Sequence, residues 1–414
     1  MIRSDRKTIY EILGREPVHP FPARMAPGIA LEVMGEDRKP LRVLDPMMGS
    51  GTVLAVARSK GHRGVGVDID PLAVLISKVW TTAIDAEEVR DRAREVLDRA
   101  RGISYALPCR DAYPRHADVE TRAFVAYWFD RNARRQLTSL ATAINRVRDD
   151  GVRDALWCAF SRLIITKQSG ASLAMDLAHS RPHRAFDRAP TKPFLKFLPA
   201  VDRVVGNCVD KGTPGRGPAP CIQEGDARDL PIGNASVDLV LTSPPYLNAI
   251  DYMRCSKFSL VWMGHCIKEL RLVRAKSIGC EVGTGAPIAD REVRAILTEL
   301  NLHPGLAARQ EAILARYIGD MQRALNEAAR VLTPGGRAVY VVGENTVSGT
   351  YVRNALVVTM VASLAGLRLC DRRTRSLPSE RRYLPPPFAR KHSIPLDTRV
   401  GREVVLSFTK PLVS

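Results

Sequence analysis

The chain has few cysteines and no long apolar run, and each shortage excludes a class of protein. Its eight cysteines are scattered without a C-x-x-C pair. They indicate neither a zinc site nor a disulfide framework, so we expect reduced thiols in a cytoplasmic protein. The longest apolar stretch, 355–367, is too short and interrupted to cross a bilayer, and it predicts a buried helix. Residues 1–5 are not expected to begin a signal peptide, since no apolar segment follows them.

Acidic residues are also scarce relative to basic ones. The chain has 44 Asp and Glu residues against 62 Lys and Arg, a formal net charge of +18 and a pI near 9.9. Lysine is itself rare, with 13 lysines against 49 arginines. Arginine suits bidentate contacts with phosphate and guanine, and a basic excess of this kind is typical of nucleic-acid binding. The alternative is that arginine richness follows genomic base composition and the charge is spread over a solvated surface.

A buried strand that ends in two prolines is the most distinctive stretch of the sequence. Residues 236–242 alternate and then become continuously apolar, which predicts a parallel strand, and Ser243-Pro244-Pro245-Tyr246 follows at once. The prolines remove two backbone donors, so carbonyls and the Ser243 hydroxyl face the cleft as acceptors. Tyr246 adds a ring for stacking. This set suits a planar ring with an exocyclic amino group, although a surface turn is the alternative.

A glycine turn lies between an earlier predicted strand, 41–45, and a predicted helix, 53–60. This order places backbone amides at a helix N-terminus, where ligands bind. The turn departs from the dinucleotide fingerprint because Leu54 occupies the third glycine position, and it lacks the Lys-Ser/Thr of a P-loop. Asp45 before the turn suits a cationic or hydroxyl-bearing ligand. The candidate binding residues here are Asp45, Pro46, Met47, Gly49, Ser50, Gly51 and Thr52.

Acidic residues stand at the ends of three successive predicted strands. After Asp45, the strand 64–68 ends at Asp68-Ile69, and the strand 222–225 is followed by Asp226-Ala227. Asp68 lies about twenty residues beyond the glycine turn, where an acid binds a ribose diol. Any one of them can be a helix N-cap. Three acidic strand ends beside the Ser-Pro-Pro-Tyr strand favour a shared ligand site.

These motifs together resemble those of amino-group DNA methyltransferases that use S-adenosylmethionine. Residues 45–52 are similar to the family's D-P-x-x-G-S-G-T cofactor motif, and 243–246 to its S/N/D-P-P-Y/F catalytic motif. The Ser form of the catalytic motif is associated most often with cytosine-N4 enzymes. The resemblance implies that Asp68 binds the ribose and that Asp226-Ala227 contacts the adenine amino group. It also implies a further cofactor motif at 19–24, which includes Phe21 and Pro22.

The resemblance covers roughly residues 10–80, 220–265 and 317–410, and it implies a class I Rossmann-like α/β fold. We expect a doubly wound, mostly parallel sheet with an antiparallel C-terminal hairpin and a helical insertion. The catalytic core would comprise 1–80, 220–266 and 316–414. Within it we predict an amphipathic helix, 317–331, a C-cap turn at 332–336 and a strand, 337–342. The hairpin would pair 368–375 with 403–410 across a Pro-rich loop.

Two segments lie outside this core, and both are candidates for contact with DNA. Residues 81–219 are predicted to be mainly helical (86–101, 120–148 and 152–166), and 267–315 form a basic helical insertion after the catalytic motif. The second segment contains Lys268, Arg271, Arg274 and Lys276. A solvated helix face is the alternative for these basic residues. The aromatic run 127–129 favours core packing over base stacking. His179 and His183 are separated by Pro182, so no metal site is predicted.

The activity that the resemblance implies is methylation of the exocyclic amino group of a flipped base in double-stranded DNA. Cytosine N4 is the favoured target, in a restriction–modification setting. Adenine N6, an RNA or tRNA base, and a non-catalytic DNA-binding protein on the same fold remain alternatives. Cytosine-C5 chemistry needs a Cys nucleophile. We set it aside because Pro108-Cys109 and Pro220-Cys221 do not follow the fourth strand.

Overall fold

A seven-stranded sheet forms the centre of the protein in the computed structural model. The structure describes residues 7–21, 24–35, 39–167, 169–177, 182–211, 217–247, 251–280, 291–302, 306–347, 350–376 and 402–412. Its strands are β1 (Arg42–Asp45), β2 (Arg63–Asp68), β3 (Cys221–Glu224), β4 (Val237–Thr242), β5 (Leu332–Gly343), β6 (Arg368–Ser376) and β7 (Arg402–Thr409). They lie in the order β6-β7-β5-β4-β1-β2-β3. Strand β7 is antiparallel to both neighbours and the other pairs are parallel. The predicted class I Rossmann-like fold, with its antiparallel C-terminal hairpin, is confirmed.

Helices fill the connections between the strands. In the described residues they are α1 (Ile9–Leu13), α2 (Pro27–Gly35), α3 (Thr52–Ser59), α4 (Pro71–Thr81), α5 (Ala86–Ala106), α6 (Val119–Trp128), α7 (Arg131–Ile144), α8 (Asp150–Ile164), α9 (Pro193–Val205), α10 (Met253–Leu260), α11 (Ile267–Lys276), α12 (Arg291–Leu300), α13 (Ala308–Val331) and α14 (Asn354–Leu364). Short strands pair outside the main sheet: Ala83–Ile84 with Val209–Asp210, Ala174–Met175 with His183–Arg184, and Asn345–Val347 with Thr350–Val352. None of the described helices is both long and apolar enough to cross a membrane.

The sheet is covered on both faces because successive side chains of a strand point to opposite sides. Val43 and Leu241 belong to one hydrophobic core, with α2 and α3. Their neighbours Leu44 and Val240 belong to a second core, with α13 and α14. A doubly covered parallel sheet requires this continuously apolar pattern in its central strands.

The segment between α4 and β3 is largely helical, and it packs against the sheet domain as part of one core. Residues of α5, α7, α8 and α9 share a hydrophobic cluster with α4 and α10. As predicted, Phe129 lies in this cluster and Trp128 packs against it. Tyr127 instead is exposed, and its ring lies under the guanidinium of Arg184. The limits of this segment as a separate unit remain a prediction.

Three local predictions are wrong. Helix α13 begins at Ala308, nine residues before the predicted start at 317. The predicted helix 120–148 is two helices, because Phe129 is extended and Asp130 caps α7 by accepting hydrogen bonds from the Asn132 and Ala133 amides at 2.8 and 2.9 Å. The C-cap turn predicted at 332–336 does not form after α13. Leu332 is itself the extended C-cap and already pairs with Val237 in the sheet. Residues 333–336 form a bulge within β5, since the next pair is Leu239 with Arg337.

Candidate active site

The predicted strand ends meet at one cavity of about 200 Å³ on the carboxyl edge of the sheet. This arrangement places the glycine turn, the three acidic strand ends and the Ser-Pro-Pro-Tyr motif around a single space. Gly51 forms the turn without lining the cavity, and Pro22 lies outside the described residues. The predicted residues that line the cavity are Phe21, Asp45, Pro46, Met47, Gly49, Ser50, Thr52, Asp68, Ile69, Asp226, Ala227, Ser243, Pro244, Pro245 and Tyr246.

Two positions of the glycine turn require glycine for their backbone conformation. A third glycine, on the neighbouring strand β2, makes room for the helix that follows the turn. Gly49 and Gly51 have φ of 50° and 83°, values that a side chain disfavours. Leu54, at the third position of the dinucleotide fingerprint, packs against Gly66 of β2, where a Cβ atom would collide with it. The close approach that a glycine on the helix would normally allow is therefore provided by a glycine on the strand.

Asp45 joins the glycine turn to the Ser-Pro-Pro-Tyr motif. Its Oδ1 accepts hydrogen bonds from Thr242 Oγ1 at 2.7 Å and from the Met47 amide at 3.2 Å. Burial raises the pKa of Asp45 to about 7, the hydrogen bond from Thr242 opposes the shift, and the nearby charge of Asp68 adds to it. Thr242 is the last residue of β4, so this bond fixes the position of Ser243 relative to the turn.

Two further carboxylates stand beside Asp45. Asp68 accepts hydrogen bonds from the amides of Gly49 and Asp70 at 2.8 and 2.9 Å. Asp70 caps α4 through the Leu72 amide at 2.9 Å and accepts from Ser256 Oγ at 2.6 Å. Burial raises the pKa of Asp68, and it raises that of Asp70 to about 7. Asp70 and Ser256 were not predicted as site residues, although an Asp followed by Pro71 is a recognisable helix start.

The electrostatics of this group fit a cationic ligand that also carries hydroxyl donors. Within the described chain, Asp45, Asp68 and Asp70 form no ion pair with Lys or Arg, and the charge of Asp68 acts on both Asp45 and Asp70. Burial is the main cause of their raised pKa values, and the charge of Asp68 adds to the shift at Asp45 and Asp70. A positive group or hydroxyl protons would lower the cost of ionising them. A pyrophosphate would raise that cost.

Asp226 differs from the other acids because it has a cationic partner. Arg228 donates to both of its carboxylate oxygens, at 2.9 and 2.6 Å, and also to Asp320 at 2.7 Å. Burial would raise the pKa of Asp226, but the bonds from Arg228 lower it below its ordinary value. Arg228 was not predicted, and its spacing two residues after Asp226 was the available signal. Asp226 still lines the cavity, and its contact with an adenine remains a prediction.

The Ser-Pro-Pro-Tyr motif is held by strands β5 and β7. Ser243 Oγ donates to the Val341 carbonyl at 3.0 Å. Tyr246 Oη donates to Oε1 of Glu403, at the start of β7, at 3.1 Å. The Tyr246 ring lies against Gly343, where a Cβ atom would come within 2.6 Å of the ring. Glu403 was missed by sequence reasoning. The signal was an acid directly before the apolar run 404–406.

Aromatic and basic residues complete the rim of the cavity. The rings of Phe21 and Tyr252 are parallel, with an interplanar angle of 5° and centroids 5.6 Å apart, and both line the cavity. Of the four predicted basic residues of α11, Arg274 pairs with Asp251 at 2.5 Å and Arg271 pairs with Glu120. Lys276 is exposed and lines the cavity.

No metal centre is seen among the residues described. They contain no group of three His, Cys, Asp or Glu side chains that could hold a metal ion. His183 is exposed, and His179 lies outside the described residues. All eight cysteines are free thiols, and Cys221 is exposed at the start of β3.

The strand order and the turn after β1 define the class I Rossmann-like methyltransferase fold. The chain is similar to the Type II methyltransferase M.MvaI of Kocuria varians, with 22% identity over 365 residues that cover 82% of this chain and 79% of that protein. It is 23% identical over 259 residues to the Type II methyltransferase M.BsoBI of Geobacillus stearothermophilus, covering 58% of this chain and half of that one. No family model matches the chain.

Comparison with solved structures gives low similarity. TTHA0409 of Thermus thermophilus, solved with S-adenosyl-L-methionine, is 19% identical with a TM-score of 0.23, covering 46% of this chain and 55% of that one. A TehB-like SAM-dependent methyltransferase of Corynebacterium glutamicum is 10% identical with a TM-score of 0.29, covering 92% and 86%. Scores this low do not establish a shared fold, so the fold assignment rests on the strand order described above.

Proposed function

We propose that the chain is a DNA methyltransferase that uses S-adenosylmethionine to methylate the N4 amino group of a flipped cytosine. The observation that carries this proposal is the 2.7 Å hydrogen bond between Thr242 and Asp45, which joins the catalytic motif to the acidic glycine turn. The pair of Type II methyltransferase relatives supports DNA as the substrate. The Ser in the first position of the catalytic motif supports cytosine.

The cofactor would lie along the acidic ends of β1, β2 and β3. Asp68 would accept hydrogen bonds from its ribose hydroxyls, and Asp226-Ala227 would contact its adenine. Phe21 lies next to Gly49 and would cover the remaining side, with Pro22 beyond it in the chain. When bound, S-adenosylmethionine supplies an electrophilic methyl group on a cationic sulfur.

Ser243 and Pro244 would make the amino nitrogen nucleophilic. An amino group on a heteroaromatic ring is a poor nucleophile because its lone pair is delocalised into the ring. The Ser243 hydroxyl donates its proton to the Val341 carbonyl, so its oxygen lone pairs are left to accept an N–H. With the Pro244 carbonyl accepting the second N–H, the nitrogen is drawn toward sp³ geometry. Catalysis then depends on positioning and charge stabilisation, without a covalent intermediate.

Tyr246 would stabilise the flipped base. Extruding a base from the duplex costs a few kcal/mol, and stacking on an aromatic side chain returns about 1–3 kcal/mol. Since one face of the Tyr246 ring lies against Gly343, only its other face is available for stacking. The ring also lines the cavity that contains Ser243.

Substitution of the motif tests the assignment of catalytic residues. We expect Ser243→Ala and Tyr246→Ala each to lower methyl transfer by about 100-fold or more, as loss of a transition-state contact does, while calorimetric binding of S-adenosylmethionine is retained. Cys221→Ala is the matched control and should keep full activity, because Cys221 is exposed at the start of β3. Unchanged turnover in both motif variants would contradict the proposal. Loss of activity in the control would instead indicate a cysteine nucleophile.

The modified base and polymer are tested separately. Purified enzyme is incubated with labelled cofactor and either duplex DNA or RNA, and the nucleosides are identified by mass spectrometry. We expect N4-methylcytosine from DNA. Detection of N6-methyladenine would show that the target base is adenine. Methylation of RNA but not DNA would show that the substrate is RNA. If the wild-type protein binds no S-adenosylmethionine, the result would favour the alternative of a non-catalytic DNA-binding protein on the same fold. Long-read sequencing of DNA from expressing cells would then give the sequence context.

A further inference from the structure

Glu403 is a buried carboxylate beside the catalytic motif that the proposed chemistry does not use. It is 7% exposed and lies at the start of β7, opposite Gly343 of β5 in the sheet. It lines the same cavity as Ser243 and Tyr246, although it is 157 residues away from Tyr246 in sequence. A buried carboxylate is costly unless it is hydrogen-bonded or paired, so its presence in an apolar strand needs an explanation.

The partners of Glu403 fix the orientation of one aromatic ring. Its Oε1 accepts the hydrogen bond from Tyr246 Oη at 3.1 Å, and its Oε2 lies 3.4 Å from Arg375 Nε of β6. The Tyr246 ring is confined on its other side by Gly343, because any Cβ there would overlap the ring. The Tyr246 side chain is thus held at its hydroxyl by Glu403 and along its face by the backbone of β5.

Holding the ring in this way matters for catalysis because preorganisation lowers the entropy cost of ordering a side chain on binding. The hydroxyl of Tyr246 is also 3.5 Å from Ser243 Oγ, so the ring and the amino-group acceptor are set in one arrangement. A mobile ring would lose stacking energy and would leave the flipped base misplaced relative to Ser243. A small misplacement of reacting groups costs rate steeply.

We propose that Glu403 is a positioning residue that orients Tyr246 as the stacking platform for the flipped base, with Arg375 holding the carboxylate in place. The inference rests on the proposed function, because it assigns Tyr246 a stacking role. The proposal joins Glu403, on strand β7, to the catalytic motif that follows strand β4. Glu403 itself need not touch the base or the cofactor.

A double-mutant cycle tests the coupling between the two side chains. We expect Glu403→Ala and Tyr246→Phe each to lower kcat/KM for DNA by roughly 10-fold, as loss of a buried charge-assisted hydrogen bond does. The double variant should be no worse than the poorer single variant, because both changes remove the same bond. Glu403→Gln should recover most of the activity, since its amide oxygen still accepts from Tyr246. Additive losses would overturn the proposal.

Two readouts separate positioning from a general loss of structure. The first is fluorescence of 2-aminopurine at the target base in a duplex carrying the recognition sequence, which should increase less with Glu403→Ala than with the wild type. The second is the ¹⁹F spectrum of 3-fluorotyrosine placed at position 246, which should broaden or shift in Glu403→Ala without any DNA. Cofactor affinity and the melting temperature should stay close to wild-type values. A ¹⁹F signal unchanged by Glu403→Ala would overturn the proposal whether or not the chain methylates DNA.

Glu32→Ala is the matched control. Glu32 also pairs with an arginine of β6, Arg373, but it does not line the cavity. Its removal should leave kcat/KM, base flipping and the position-246 spectrum unchanged. If the wild type shows no methyl transfer, the proposed function fails, and the fluorine experiment still decides whether Glu403 orients Tyr246. If the wild type is active and Glu403→Ala matches it, only the positioning role fails.

Discussion

At the scale of single residues, we expect the carboxyl group of Asp45 to make cofactor binding depend on pH. Burial raises its pKa to about 7 in the ligand-free protein. A cationic ligand favours the ionised form, so it lowers this pKa and releases a proton on binding. We therefore expect a lower pH to protonate Asp45 and to weaken the binding of S-adenosylmethionine. For one group with this pKa, we expect affinity at pH 6 to be about tenfold lower than at pH 8.

Calorimetry in two buffers of different ionisation enthalpy measures this proton release directly. Asp45→Asn is the control, because an amide cannot titrate. It should bind S-adenosylmethionine more weakly and with a shallower pH dependence, the remainder arising from Asp70, whose pKa is also raised to about 7. Affinity that is constant from pH 6 to pH 8, or net proton uptake on binding, would contradict this account.

The site residues that the sequence predicted differ from those it missed in what places them at the site. Asp45 and Asp68 end their strands and Ser243 follows its strand directly, so the strand pattern alone places them at one edge of a parallel sheet. Glu403 and Arg228 act through side-chain partners. The Tyr246–Glu403 bond depends on how β7 pairs with β5, and this register cannot be read from local sequence.

At the scale of secondary-structure elements, Asp130 holds together two parts of the helical segment. Its Oδ1 caps α7, and its Oδ2 accepts from the Ala189 amide at 2.6 Å. We expect Asp130→Ala to lower the free energy of unfolding by about 2–3 kcal/mol, about 1 from the lost cap and the remainder from the unsatisfied Ala189 amide. Urea unfolding measures the difference from wild type.

Asp85→Ala is the matched control for this prediction. Asp85 caps α5 through the Glu87 and Glu88 amides, both at 3.1 Å, and it is exposed. Its loss should cost only about 1 kcal/mol, the usual cost of a helix cap. Equal destabilisation by the two substitutions would show that the bond to Ala189 adds nothing.

Most elements were predictable because their periodicity and capping residues agree. The strand predicted at 64–68 and the start of the helix predicted at residue 86 match the structure closely. The helix pair α6 and α7 was merged because an Asp inside a long helical pattern does not by itself indicate a break. The turn at 332–336 was misjudged because its glycines, which suit a helix C-cap, instead form a bulge in β5. In both places tertiary contacts decide between two locally acceptable structures.

At the scale of the whole molecule, the net charge of +18 favours binding of a polyanion such as DNA. The position of the cavity indicates which basic residues would lie near the bound phosphates. Several arginines near the site are paired with acids, as Arg274 is with Asp251, and paired charges contribute little to phosphate binding. Unpaired basic groups at the cavity mouth are therefore the better candidates. Lys276, the last residue of α11, is exposed and lines the cavity.

Lys276 should contribute one phosphate contact that is independent of DNA sequence. Binding by counterion release gives a slope of log K against log salt of about −0.9 for each phosphate neutralised. We expect Lys276→Ala to weaken binding to specific and non-specific duplexes alike and to make the measured slope less negative by about 1. Lys60→Ala is the control, because Lys60 is exposed at the C-terminal end of α3, on the opposite edge of the sheet. An equal change of slope in both variants would show that DNA does not approach the carboxyl edge selectively, and the charge would then act as a diffuse surface field.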